Sequence, residues 1–115
     1  VIAAAPEPDD RIQGLRDLEE GFVPPILDLN MLDRRIMISG EESFKQTADV
    51  LRREGVFAGV SSGATLAAAM KVAERLDEGN IVALFADGGW KYLSTGLWTK
   101  RYNELKGEVE GRIWW

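Results

Sequence analysis

The sequence predicts an α/β fold, a mostly parallel sheet flanked by helices, and three observations point to it. Short continuous apolar runs at Val1 to Ala5, Ile36 to Ile38, Val56 to Gly59 and Ile81 to Ala86 have the length and content of buried strands. Two segments between them carry apolar residues at helical spacing, Phe44, Thr47, Ala48 and Leu51 in one and Leu66, Ala69, Met70, Ala73 and Leu76 in the other. Strand-like and helix-like stretches alternate along the chain, which is the order that builds parallel sheets.

Each element has its own signals. Val1 to Ala5 is closed by Pro6, which cannot continue a ladder. The segment 6–25, with Pro8, Pro24 and Pro25 beside Asp9, Asp10, Gly14 and Gly21, reads as a long loop, and a loop this long inside a small domain is usually functional. After Ile36 to Ile38, Ser39 and Glu42 stand at capping-box spacing and open a helix that Gly55 ends. Val56 to Gly59 then leads through Val60-Ser61-Ser62-Gly63 into the second helix, in which the stripe of Leu66, Met70 and Ala73 is expected to be core. Asn80 marks the turn into Ile81 to Ala86, which closes on Asp87-Gly88-Gly89. Residues 100–115 form a charged tail with helical character that ends in Ile113-Trp114-Trp115.

Composition excludes several classes of function. The chain has 115 residues, 45% of them hydrophobic, enough for one domain with a real core. A formal net charge of -5 argues against a nucleic-acid partner, whose phosphates demand clustered Lys and Arg. Neither cysteine nor histidine is present, so disulfides, thiolate metal sites and the commonest general base are all missing, and no metal site is expected. No apolar run approaches the ~18 residues of a membrane span. Because the first residues already read as a buried strand, the chain is expected to continue a longer polypeptide upstream.

In open α/β sheets ligands lie beyond the carboxyl ends of the strands, so the turns after Val56 to Gly59 and after Ile81 to Ala86 should face one crevice. That makes Ser61, Ser62 and Asp87 candidates. One serine suffices to cap the helix and the other is then free for a ligand; Asp87 also reads simply as the first residue of an Asp-Gly turn. Gly59-x-x-x-Gly63 by itself is a weak phosphate signature.

Three separated motifs in register add more: Arg11-Ile12-Gln13-Gly14-Leu15, then Gly55-Val56-Phe57-Ala58-Gly59-Val60-Ser61-Ser62-Gly63-Ala64, then Asp87-Gly88-Gly89-Trp90-Lys91-Tyr92-Leu93-Ser94-Thr95. Together they resemble the C-terminal part of the cysteine synthases, fold-type II enzymes that use pyridoxal phosphate. The resemblance implies that residues 1–115 are the C-terminal part of the large cofactor-binding domain, with 100–115 as a tail, and that the N-terminal half is absent. It implies that Ser61 hydrogen-bonds the pyridine nitrogen of the cofactor, leaving Ser62 as the helix cap. A neutral hydroxyl does not hold a proton on that nitrogen as a carboxylate would, which suits β-elimination and disfavours transamination.

Members that use O-acetylserine commonly carry a glycine-rich run without a cation where this chain has Gly14-Leu15-Arg16. Arg16 resembles the O-phosphoserine-using branch, in which an arginine at this place engages the substrate phosphate. Gly14 and Arg16 are therefore the expected substrate-binding residues, with Arg11 as a surface competitor. The segment from Gly107 to Trp115 is similar to the tails of actinobacterial-type O-phosphoserine sulfhydrylases, which gives Trp114 and Trp115 two readings, a frayed end or a flap over the cleft.

No lysine among Lys45, Lys71, Lys91, Lys100 and Lys106 stands in a context resembling the family's Schiff-base lysine, so no catalytic residue is expected in this chain and, alone, it should be inactive. The implied parent is a cytoplasmic homodimer that makes L-cysteine from O-phosphoserine, with sulfide or a thiocarboxylated sulfur-carrier protein as donor. The alternatives are an O-acetylserine sulfhydrylase and a non-catalytic α/β binding module.

Overall fold

The computed structural model describes residues 1–109, and the side chains of residue 20 and of residues 106–109 fall outside that description, as do residues 110–115 with Trp114 and Trp115. Strand β1 (Ile2–Pro6) pairs in parallel with β2 (Arg34–Ile38), in a register that sets Ile2 opposite Arg34 and Pro6 opposite Ile38. The connection between them is a long loop with two short 3-10 turns, Leu18–Glu20 and Leu29–Met31, each capped by the aspartate before it. Ile12 plugs this loop into the core at 3% exposure.

Helix α1 (Gly40–Glu54) forms as its sequence demands. Ser39 accepts from the Glu42 N–H at 3.1 Å while the Glu42 carboxylate accepts from the Ser39 N–H at 3.1 Å, a complete capping box. The Asp10 carboxylate adds a second acceptor, 2.6 Å from the Gly40 N–H, and so ties the loop to the positive end of the helix. Gly55 ends α1 in the left-handed region at φ 70°. Phe44 and Thr47 are buried as expected, with Ala48 and Leu51 half-buried beside them.

Helix α2 (Val60–Ala73) lies across α1 at very short range. An added Cβ at Gly63 would sit 2.0 Å from Thr47 Oγ1 and 2.2 Å from the Ser43 carbonyl oxygen, so only glycine fits. The Ser43 hydroxyl donates to the Val60 carbonyl at 2.6 Å and fixes the start of α2 against α1. This proximity corrects the expected core stripe. Ala64, Ala67 and Ala68 face inward, while Met70 is 47% exposed and Ala73 is exposed, because helices this close meet through small side chains and turn bulky ones outward. The helix also stops at Ala73, so Leu76 lies beyond it. A short helix α3 (Tyr102–Val109) completes the core through Leu105, and Tyr102 stacks edge-on against Phe44 at 5.4 Å.

Two expected strands do not form ladders. Val56 to Gly59 makes a single antiparallel bridge, Ala58 opposite Gly88, flanked by Gly59 N–H to Asp87 O at 3.0 Å and Gly89 N–H to Phe57 O at 3.1 Å. Ile81 to Ala86 pairs with no strand among the described residues, and Val82 and Leu84 stand 95% and 78% exposed. An apolar run becomes a strand only where a neighbour supplies its hydrogen bonds. The α/β class stands, with a sheet of two parallel strands among the described residues.

After the Asp87 turn the chain enters a 3-10 stretch, Gly89–Thr95, whose Tyr92 is buried. The Tyr92 hydroxyl donates to Asp87 Oδ2 at 3.3 Å. Burial first, then the Asp87 charge and this hydrogen bond, push the phenol up to about 12 from 10.0.

Two measurements follow. Gly63→Ala should destabilise the fold by roughly 1 to 3 kcal/mol, the usual cost of overpacking a tight contact, and chemical denaturation reads it as a lower midpoint; an unchanged midpoint contradicts the α1–α2 contact. The folded chain keeps the Tyr92 proton to higher pH than the unfolded chain does. Its contribution to stability is therefore complete below 10.0 and is lost as the pH rises through about 12. Ultraviolet titration should place the Tyr92 phenolate near 12, and Asp87→Asn should move it down.

Candidate functional site

The site forms where the loop after β1 crosses the first turn of α2. Burial of Ile12 and the turn closed by Leu15 N–H to Ile12 O at 3.0 Å hold Gln13 and Gly14 at the tip of the loop. Gly14 is in the left-handed region at φ 84°, and a Cβ built there would lie 3.2 Å from both the Cβ and the Oγ of Ser61. A side chain at this position would be strained and would press on the serine. Two of the residues expected from the sequence to bind ligand, Gly14 and Ser61, are thus neighbours.

Helix α2 has Gly59 as its N-cap, and no side chain caps it. This overturns the expectation that Ser62 is the cap. The helix begins at Val60, so the serines occupy its second and third positions, from which neither hydroxyl reaches back to a free N–H of the first turn. Ser62 Oγ is buried and has no hydrogen-bond partner among the described residues. Ser61 is 7% exposed, and among the described residues its hydroxyl makes no hydrogen bond either. The first-turn N–H groups carry partial positive charge. Ser61, the less buried of the two, is the hydroxyl that can donate to an acceptor atom placed at this helix end.

The two turns expected to face each other do meet, in direct contact. Gly59 donates to the Asp87 carbonyl, and a Cβ on Gly59 would meet Asp87 Oδ1 at 1.9 Å. Asp87 Oδ2 takes the Tyr92 hydroxyl and lies 3.4 Å from Lys91 Nζ, while Oδ1 is buried with no hydrogen-bond partner among the described residues. Asp87 therefore does more than begin a turn: its carboxylate packs on Gly59, the N-cap of α2.

Arg16 is exposed and makes no ion pair among the described residues; its guanidinium carbon sits 4.4 Å from the centre of the Phe22 ring. Arg11 is exposed, as expected. Lys71 is committed to Glu42 at 2.7 Å and Lys91 to Asp87. A cavity of about 450 Å³ opens between the same loop and β2, walled by Leu18, Val23, Leu29 and Leu32 with Arg34 and Arg35, away from Gly14 and the serines. Sequence reasoning missed Phe22, Asp10 and Ser43. Ser43 and Thr47, small polar residues one helical turn apart and able to face a glycine, were the available signal for the helix contact.

Comparison with known proteins bears on this geometry. Residues 2–87 match the family model described as pyridoxal-phosphate dependent enzyme. Cysteine synthase A of Escherichia coli (strain K12) is 40% identical over 98 residues, covering 82% of this chain and 29% of that protein. A cysteine synthase of Buchnera aphidicola subsp. Schizaphis graminum is 38% identical over 94 residues, covering 80% of this chain and 28% of its own length. Among solved structures, a cysteine synthase from Entamoeba histolytica superposes with a TM-score of 0.76 at 28% identity, over 97% of this chain and 37% of that one. An O-ureido-L-serine synthase gives 0.74 at 33% identity, over 84% and 33%. The chain spans less than a third of the length of these two curated relatives. With three quarters of its residues inside the family model and a relative 40% identical over most of its length, this chain belongs to the pyridoxal-phosphate-dependent enzymes.

Proposed function

We propose that this chain is the C-terminal part of the large domain of a fold-type II cysteine synthase, and that the complete enzyme makes L-cysteine by β-replacement on O-phosphoserine. The observation that carries the reading is the apposition of Gly14 and the Ser61 hydroxyl, unpartnered among the described residues, at the N-terminus of α2. The residues present fit pyridoxal phosphate, which when bound supplies an electron sink for the bond broken at the substrate Cα.

Ser61 would hold the ring nitrogen by a hydrogen bond from its neutral hydroxyl. A neutral hydroxyl there, unlike a carboxylate, would not hold a proton on that nitrogen, which would favour loss of the β-substituent over transamination. Gly14 leaves the room beside Ser61 that any side chain would fill. Arg16, two residues along the same loop, presents a planar fork of N–H donors that matches a phosphate bidentately. No lysine of this chain stands where the family's Schiff-base lysine is expected, so the chain alone is inactive on this reading. The complete enzyme acts as a homodimer in the cytoplasm, with sulfide or a thiocarboxylated carrier protein as sulfur donor. Among the described residues no helix is long and apolar enough to cross a membrane.

O-acetylserine is the competing substrate, since relatives include an O-acetylserine dependent cystathionine beta-synthase from Helicobacter pylori. Arg16 separates the two. In a complete enzyme carrying this segment, Arg16→Ala should reduce kcat/KM for O-phosphoserine by at least about tenfold, the worth of a hydrogen bond to a charged group, and spare O-acetylserine. Equal losses for both substrates would remove the phosphate role. A complete polypeptide that turns over neither would leave the binding-module reading in its place.

A further inference from the structure

The arginine that meets the phosphate on the reading above is itself held in place. Arg16 belongs to a short unit bracketed by two glycines in the left-handed region, Gly14 at φ 84° and Gly21 at φ 85°. Inside the bracket, Asp17 caps the turn Leu18–Glu20 by accepting from the Glu19 N–H at 2.8 Å, and the Glu19 carboxylate lies 2.7 Å from Arg35 on β2. The reversal at Gly21 brings Phe22 back against Arg16, with the guanidinium carbon 4.4 Å from the ring centre. Phe22 is 50% exposed and lies outside the hydrophobic core, so folding alone does not account for an aromatic residue here.

Stacking and anion binding use different parts of a guanidinium. The ring attracts its flat face through the quadrupole of the π system, whereas the N–H donors lie in the plane and point outward at the edge. No carboxylate among the described residues occupies that edge. An arginine whose guanidinium carbon is held over an aromatic ring, and which makes no ion pair among the described residues, keeps N–H donors for a tetrahedral oxyanion and loses less freedom when one arrives.

We infer that Phe22 is the positioning residue for Arg16, and that the stacked pair, rather than the arginine alone, sets the preference of this site for a phosphorylated amino acid. The inference rests on the O-phosphoserine reading and goes further, since it assigns specificity to a residue that touches neither substrate nor cofactor. Glu19 and Arg35 serve the same end by tying the unit to the sheet.

The test compares Phe22→Leu, Phe22→Trp and Arg16→Ala in the complete holoenzyme. Calorimetry gives the dissociation constant for inorganic phosphate, and kinetics give KM and kcat for O-phosphoserine and O-acetylserine. Phe22→Leu keeps an apolar side chain and removes the π face. It should raise both the phosphate dissociation constant and KM for O-phosphoserine by about three- to fivefold, the range of an exposed cation–π contact. It should leave kcat and KM for O-acetylserine unchanged, and Phe22→Trp, the better π partner, should restore phosphate binding. Two results would overturn the inference while leaving the substrate reading intact: Arg16→Ala weakens phosphate but Phe22→Leu does not, or Phe22→Leu impairs both substrates alike with phosphate binding unaltered. If Arg16→Ala itself leaves phosphate binding unchanged, the O-phosphoserine reading fails and the role of Phe22 goes with it.

Discussion

The contact of α1 with α2 at Gly63 governs where everything at the start of α2 stands. Thr47 Oγ1 and the Ser43 carbonyl fill the space that a methyl group would need, and the Ser43 hydroxyl closes on the Val60 carbonyl at 2.6 Å. From the other side, the Asp87 carbonyl takes the Gly59 N–H. Between these two clamps lie Ser61 and Ser62, which have little freedom left. The glycine of the Ser-Ser-Gly motif is thus explained by helix packing, and the serines by what that packing leaves uncovered. A hydroxyl on a rigid helix end is a more exact donor than one on a loop.

The sequence made some of this legible and hid the rest for physical reasons. Local signals succeeded: the Ser39–Glu42 box and the left-handed Gly55 were read from short-range patterns, and both are present; the meeting of the Gly59 and Asp87 turns came from the fold class. Readings that depended on partners failed. Ile81 to Ala86 has the content of a central strand, but a ladder needs a neighbour that local content cannot supply. The Leu66, Met70 and Ala73 stripe has helical period, yet the face that is buried was decided by Gly63 and the alanines beside it. Ser62 was expected as the cap because the resemblance gave Ser61 to the cofactor; the N-cap is Gly59, three residues earlier. Phe22 carried no signal at all, since a lone aromatic residue in a polar loop gains its meaning only when the chain folds it under Arg16.

The loop after β1 links the two halves of the site. Its buried Ile12 and the Asp10 carboxylate on the end of α1 root it in the core, so its tip at Gly14 meets Ser61 in a fixed relation. Farther along, the same loop carries Arg16 on its aromatic support. The residues proposed to face the substrate, Gly14 and Arg16, thus sit close together on a loop rooted in the core, with Gly14 beside Ser61. Ile81 to Ala86, apolar yet exposed at Val82 and Leu84, has no strand beside it among the described residues.

The most direct test of the account is the protonation state of the cofactor nitrogen that Ser61 is proposed to hold. The complete polypeptide, reconstituted with pyridoxal phosphate labelled with ¹⁵N in the ring, reports it by chemical shift. The account predicts an unprotonated nitrogen accepting a hydrogen bond, with a shift that moves when Ser61 is replaced by alanine. A protonated nitrogen, or a shift indifferent to Ser61→Ala, would contradict it.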